Sequence, residues 1–162
     1  MKRSAVISED GIYRYELRRV WDSTNPLINF VLLNPSKADA EINDATVRRL
    51  IGFAKLWGFG GMITTNLYAF RSTDPKKLWT VFDPVGPENE RYLKNAALES
   101  TKVVCAWGAN ASLERAEDVR RLLLNRRDGI FIPNILYCFG KTKNGEPKHP
   151  VRLASNTELV VM

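Results

Sequence analysis

Histidine and cysteine are scarce in this 162-residue chain: one histidine, His149, and two cysteines, Cys105 and Cys138. One imidazole and two scattered thiols do not make the ligand set of a structural or catalytic zinc site, and no other metal or organic cofactor is expected. Both cysteines sit inside apolar runs, "VVCAW" and "LYCFG", which suits reduced, buried thiols of a cytosolic protein better than a disulfide framework. No apolar run approaches the ~20 residues of a membrane span, and the opening "MKRSAVISEDG" has no sustained apolar stretch of the signal-peptide kind. A cytoplasmic protein without membrane attachment is therefore expected. Signature loops are missing too. The glycines of "WGFGGM" precede a strand instead of leading from one into a helix, so they do not form a dinucleotide loop, and no P-loop pattern exists. Without a G-x-S-x-G elbow, Ser36 with His149 makes a poor acyl-transfer dyad, and the mid-strand cysteines make poor nucleophiles. What these absences leave is a site that binds and polarises without metal or covalent chemistry.

Positive charge is what the chain has in excess. Its 24 Lys and Arg against 18 Asp and Glu give a net charge of +6, which favours a polyanionic partner, nucleic acid or nucleotide, over an acidic one. With 44% hydrophobic residues the chain supports one ordinary core, so a single domain over 1–162 is expected. Around the Glu9-Asp10-Gly11 turn the pattern alternates with period two, placing Ile12, Arg14, Glu16 and Arg18 on one face and Tyr13, Tyr15 and Leu17 on the other: an antiparallel hairpin. "LINFVLL" follows as a buried strand. "DATVRRLIGFAKLWG" then spaces Val47, Leu50, Ile51, Ala54 and Trp57 as a helix capped by Asn43 or Asp44 and stopped at Gly58. The unit recurs as "GMITTNLYAF" with helix "ENERYLKNAALES", and as "TKVVCAW" with helix "SLERAEDVRRLLLNRR", where Leu113, Ala116, Val119 and Leu123 share a face; "ILYCFG" is the last strand. Apolar strands alternating with amphipathic helices predict an α/β protein in three layers.

In such folds ligands bind beyond the carboxyl ends of the strands. Those ends carry Asn34, Pro35, Ser36, Lys37 and Asp39; then Asn66, Tyr68, Phe70, Arg71, Ser72 and Asp74; then Trp107, Gly108, Ala109 and Asn110; then the loop "GKTKNGEPKHPVRL", with Lys141, Lys143, Lys148, His149 and Arg152. Each also has a structural reading. Asn34-Pro35-Ser36 can be a turn, Asn66 a satisfied buried amide, Trp107-Gly108 packing followed by a turn. The pairs Arg48-Arg49, Arg120-Arg121 and Arg126-Arg127 read first as solvated helix faces. The convergence of four strand ends carries more weight than any one member.

Taken in order, "LLNPS", "TNLYAF", "VVCAWG" and "KHPVRL" resemble the uracil-DNA glycosylase superfamily. That resemblance implies a three-layer α/β/α fold with a central, mainly parallel four-stranded sheet, here beside the N-terminal hairpin, and hydrolysis of the N-glycosidic bond of a deaminated or modified base. It implies that Asn34 holds the attacking water, that His149 donates to the base, and that Asn66 reads the base edge. Pro35, Ser36, Trp107 and Gly108 would shape the pocket, and Tyr68 or Phe70 would stack on the base. Lys143, Lys148 and Arg152 would hold DNA phosphates, and Lys148 and Arg152 would depress the His149 pKa. Two departures stand out: Ser36 replaces a glycine of the first motif, and Val151-Arg152 replaces the Ser-Pro of the last. The chain also resembles an uncharacterised bacterial and phage family marked by N-P-S, D-x-T-x-R-R (Asp44, Thr46, Arg48, Arg49), T-D-P (Thr73 to Pro75) and a terminal H-P. Two alternatives share the site. One is a non-catalytic nucleotide or nucleic-acid binding module with Lys37, Arg48, Arg49 and Arg71 on phosphate. The other is an enzyme acting on free or modified nucleotides, with Asp39 and Asp44 holding Mg²⁺.

Overall fold

The computed structural model describes residues 1–125 and 134–162, so the expectation for Arg126-Arg127 lies outside the described residues. Strands β1 (Lys2–Ile7) and β2 (Arg14–Val20) form the antiparallel hairpin. They are followed by β3 (Leu27–Leu32), α1 (Ala45–Leu56), β4 (Gly61–Asn66), α2 (Asn89–Glu99), β5 (Lys102–Cys105), α3 (Leu113–Leu124), β6 (Leu136–Cys138) and β7 (Val160–Val161). Short 3₁₀ turns lie at Pro75–Trp79 and Pro150–Arg152. Instead of four strands, the sheet has seven, in the order β1-β2-β4-β3-β5-β6-β7. It is mixed: β4, β3, β5 and β6 run parallel, while β1, β2 and β7 pair antiparallel at the edges.

The helices divide between the two faces. Val47, Leu50, Phe53 and Ala54 of α1 pack with Ile28, Phe30, Leu32 and Met62 on one face, whereas Leu93 and Ala97 of α2 and Ala116, Val119 and Leu123 of α3 pack with Val31, Val103 and Cys105 on the other. Parallel strands need crossovers, and helices on both faces are where right-handed crossovers put them. Asp44 caps α1 by accepting from the Val47 N–H, and Gly58 and Phe59 close its far end onto the Lys55 and Ala54 carbonyls. Ser112 caps α3 in the same way. Leu113, predicted to share the buried face, is exposed, and the buried face of α3 begins at Ala116. Cys105 and Cys138 are buried on adjacent strands and form no disulfide. Among the described residues no helix is long and apolar enough to cross a membrane.

The hairpin departs most from expectation. Strand β2 lies between β1 and β4, so both its edges are paired, and Arg14, Tyr15, Glu16 and Leu17 are all buried. A register shift opposite Val6 and Ile7 breaks the simple alternation. In place of one polar and one apolar face, Arg14 turns to the strand-end side, where it donates to the Ala38 carbonyl, while Tyr15 stacks on Tyr92 of α2.

Candidate functional site

One cavity of about 340 Å³ opens beyond the carboxyl ends of β3 and β5. Strand β3 brings Leu32, Leu33, Asn34 and Ser36, and the first turn of α1 brings Asp44, Thr46 and Val47. The segment after β4 adds Ser72, Thr73 and Pro75, β5 adds Trp107 to Asn110, and the last loop adds His149. Arg14 completes the lining. Its size falls low in the ~300–1,000 Å³ range of small-molecule sites, and convergent polar groups on an otherwise packed wall are what such sites present.

Asn34 is held by its own amide. Its Nδ2 donates to the carbonyls of Ser72 at 2.9 Å, Pro35 at 3.1 Å and Phe70 at 3.5 Å, and the Ser72 N–H returns a bond to the Pro35 carbonyl. Three carbonyls around one amide end fix which end is nitrogen, so Oδ1 is left as an acceptor. The Asn-Pro pair thus staples the loop after β3 to the loop after β4 and presents one oxygen.

His149 reaches the cavity through an anchored loop. Trp107 Nε1 donates to Glu146 Oε2 at 2.6 Å, Arg120 pairs with the same carboxylate at 3.1 Å, and the Gly108 N–H donates to the Pro147 carbonyl at 2.8 Å. Gly108 has φ of +76°, which a β-carbon disfavours, and a Cβ there would lie 3.5 Å from that of His149. The Val151 N–H donates to Nδ1 of His149, so in the neutral ring the proton sits on Nε2. Burial lowers the pKa of His149, and the Asp44 carboxylate opposes that shift. The cause is burial rather than the Lys148 and Arg152 charges. Arg120, predicted as part of a solvated face, is half-buried in this ion pair and lies over the Trp107 ring at 5.4 Å.

Arg14 is the site residue that the sequence pattern hid. It is 2% exposed, bonds through one terminal nitrogen to the Ala38 carbonyl, and has no hydrogen-bond partner at Nε. Among the described residues no carboxylate forms an ion pair with it. Burial pulls its pKa down to about 10, with Asp44 and Asp39 holding it up and Arg71 and Arg19 pushing it further down, so it stays charged at neutral pH. No local pattern marks it, because its burial comes from the loop after β3 and from the layers that close over β2, contacts made only in the folded chain.

The remaining residues lie elsewhere. Asn66 is fully buried with neither amide atom bonded; it pairs in register with Leu32, so it leaves the sheet on the cavity's face without being part of the lining. Tyr68 is buried on the opposite face, its hydroxyl bonded to Ser112, and neither it nor Phe70 lines the cavity, so the expected stacking partner is not supplied by either. Pro35 is buried behind the lining, and Lys37 is exposed outside it. Arg48 and Arg49 border a different groove, of about 480 Å³, on the outer side of α1, with Arg48 on the Asn43 carbonyl and Arg49 on Ser155 and over Phe53. That groove lies away from the strand ends. Arg71 reaches towards the Gly11 carbonyl. Lys143, Lys148 and Arg152 are exposed. Asp39 accepts from the Glu41 and Ile42 N–H groups, which lower its pKa, and does not line the cavity; Asp44 does. Among the described residues no three His, Cys, Asp or Glu side chains gather as a metal site.

No curated protein matches the sequence. A family model described as "Protein of unknown function (DUF1643)" matches residues 14–151, a span that begins at Arg14 and contains every residue lining the cavity. Because the match covers most of the chain, the protein belongs to the DUF1643 family.

Proposed function

We propose that the cavity binds a nucleobase-bearing ligand and hydrolyses its N-glycosidic bond, in the manner of the uracil-DNA glycosylase superfamily that the strand-end motifs resemble. The observation that carries this is the meeting of Asn34 and His149, far apart in sequence, in the wall of one cavity, each with a single free polar atom. Breaking an N-glycosidic bond builds positive charge on the sugar and negative charge on the base. Asn34 Oδ1 accepts a hydrogen bond from the attacking water and aims its lone pair at the anomeric carbon. The Nε2–H of neutral His149 donates to the base oxygen, which gains charge as the bond breaks. Asp44, the carboxylate in the wall, faces the developing sugar cation. As the water oxygen bonds to the anomeric carbon the bond to the base nitrogen breaks, the base leaves as an anion held by the Nε2–H, and the proton lost by the water passes through solvent to that anion.

The test is single-turnover release of base from oligonucleotides carrying uracil, hydroxymethyluracil or hypoxanthine, and from the matching free nucleosides and nucleotides, with wild type and Asn34→Ala. A water held mainly in the transition state predicts a fall in rate of roughly a hundredfold or more with little change in affinity. The lost Nδ2 bonds also cost about 1 kcal/mol of stability, read separately by denaturation. Wild-type protein that releases no base from any of these substrates would sink the proposal; release untouched by Asn34→Ala would remove Asn34 from the water's site.

A further inference from the structure

A guanidinium only 2% exposed and without an ion pair is unusual, because removing a full charge from water is heavily unfavourable unless opposite charge or several acceptors replace the water. Arg14 has one carbonyl, an unpartnered Nε, and a place in the wall of a polar cavity. Around it the charges that bear on its pKa are Asp39, Asp44, Arg19 and Arg71. Arg19 is occupied by Asn43 and by the Asp39 and Ile42 carbonyls, and Asp39 by backbone N–H groups. Three guanidinium groups against two carboxylates leave one positive charge uncompensated.

The neighbourhood suits an anion. Helix α1 starts in the cavity wall with Asp44, Thr46 and Val47, so the positive end of its dipole lies at the same space, although the Val47 N–H is taken by Asp44. Asp44 uses one oxygen on the Val47 N–H, and the hydroxyls of Ser36 and Thr46 line the cavity without bonding to another described residue. A phosphodiester in the middle of a strand continues at both ends and cannot be sealed against a nearly inaccessible group. A terminal phosphate can be.

We infer that Arg14, with Ser36, Thr46 and the start of α1, forms a subsite for the terminal phosphate of a free nucleoside monophosphate. This rests on the nucleobase reading and narrows it: the substrate is a mononucleotide, with its base towards Asn34 and His149 and its phosphate against Arg14. Duplex phosphates held by surface lysines do not substitute for this pairing.

Titration calorimetry of the full chain tests it with uridine and inosine, their 5′-monophosphates, and inorganic phosphate and acetate alone. The mononucleotides are expected to bind at least tenfold more tightly than the nucleosides, inorganic phosphate to compete with them and acetate not. Arg14→Gln should abolish the tenfold gap between nucleotide and nucleoside and the competition by inorganic phosphate. If Arg14→Gln does not fold, Thr46→Val should narrow the gap severalfold, and the wild-type gap and phosphate competition still decide. Equal affinity for nucleoside and nucleotide would overturn the subsite and leave the nucleobase reading standing. Arg14-dependent phosphate binding without any nucleoside or nucleotide preference would keep an anion site and overturn the nucleobase reading. A 5′-phosphorylated oligonucleotide that binds more tightly than the mononucleotide, through Arg14, would move the substrate to a strand end and overturn the mononucleotide assignment.

Discussion

His149 is half-buried, accepts from its own loop at Nδ1, and feels Asp44 across the cavity. Its pKa in the folded chain lies below the 6.5 of a free imidazole, because burial disfavours the charged ring. The unfolded chain therefore binds a proton that the folded chain refuses. Stability rises with pH through the interval between the lowered pKa and 6.5, and is lost as the pH falls through that interval. Denaturant midpoints from about pH 7 down to about pH 5 should fall more steeply for wild type than for His149→Gln. Equal slopes would assign the acid sensitivity to other groups. The same single residue that gives the cavity its neutral N–H donor is thus its acid-sensitive point.

Among the elements, the segment that carries His149 is held by one carboxylate. Glu146 is buried and takes both the Trp107 indole N–H, at the end of β5, and the Arg120 guanidinium, on α3. It joins a strand end, a helix and the last loop. Glu146→Ala leaves a buried indole N–H without its acceptor and a half-buried guanidinium with only the longer pair to Glu117 at 3.8 Å, which should cost about 3 kcal/mol. The double change Arg120→Met with Glu146→Leu, which removes both charges and fills the space, should cost far less. Equilibrium unfolding of the two variants checks this, and equal losses would deny the pair its buried character. Another such joint is Asn89, which donates from the start of α2 to the Asn66 and Leu67 carbonyls and holds the β4 end in place.

At the scale of the whole molecule, the net charge of +6 sits mostly outside the cavity. Lys143 and Lys148 are exposed on the loop that precedes His149, while Arg48 and Arg49 face a separate groove on α1. Exposed cations of this kind bind polyphosphate by counterion release, without reading a sequence. If duplex DNA is a partner, Lys143→Ala with Lys148→Ala weakens its binding and lowers the salt slope by about one unit for each phosphate no longer neutralised, measured by fluorescence anisotropy against salt. Affinity for a mononucleotide should not change, since neither lysine lines the cavity. A slope identical to wild type would return both lysines to ordinary solvated positions.

Periodicity was enough to read the helices α1 to α3, a cap for α1 at one of the two residues Asn43 and Asp44, the four strands that run parallel and the apolar setting of both cysteines, because these follow from local spacing and local capping. The strand-end motifs were enough to nominate Asn34, Ser36, Trp107, Gly108 and His149, all of which line one cavity. Spacing could not reveal that β2 lies inside the sheet instead of beside it, since pairing with β4 is a long-range event. That pairing joins the hairpin to the parallel strands, and Arg14 at its start becomes part of the cavity wall, buried against the Ala38 carbonyl. Nor could it tell Tyr68 from a wall residue or Arg120 from a solvated one: which face a side chain takes at a strand end, and which carboxylate meets a helix, depend on neighbours brought together only when the layers close.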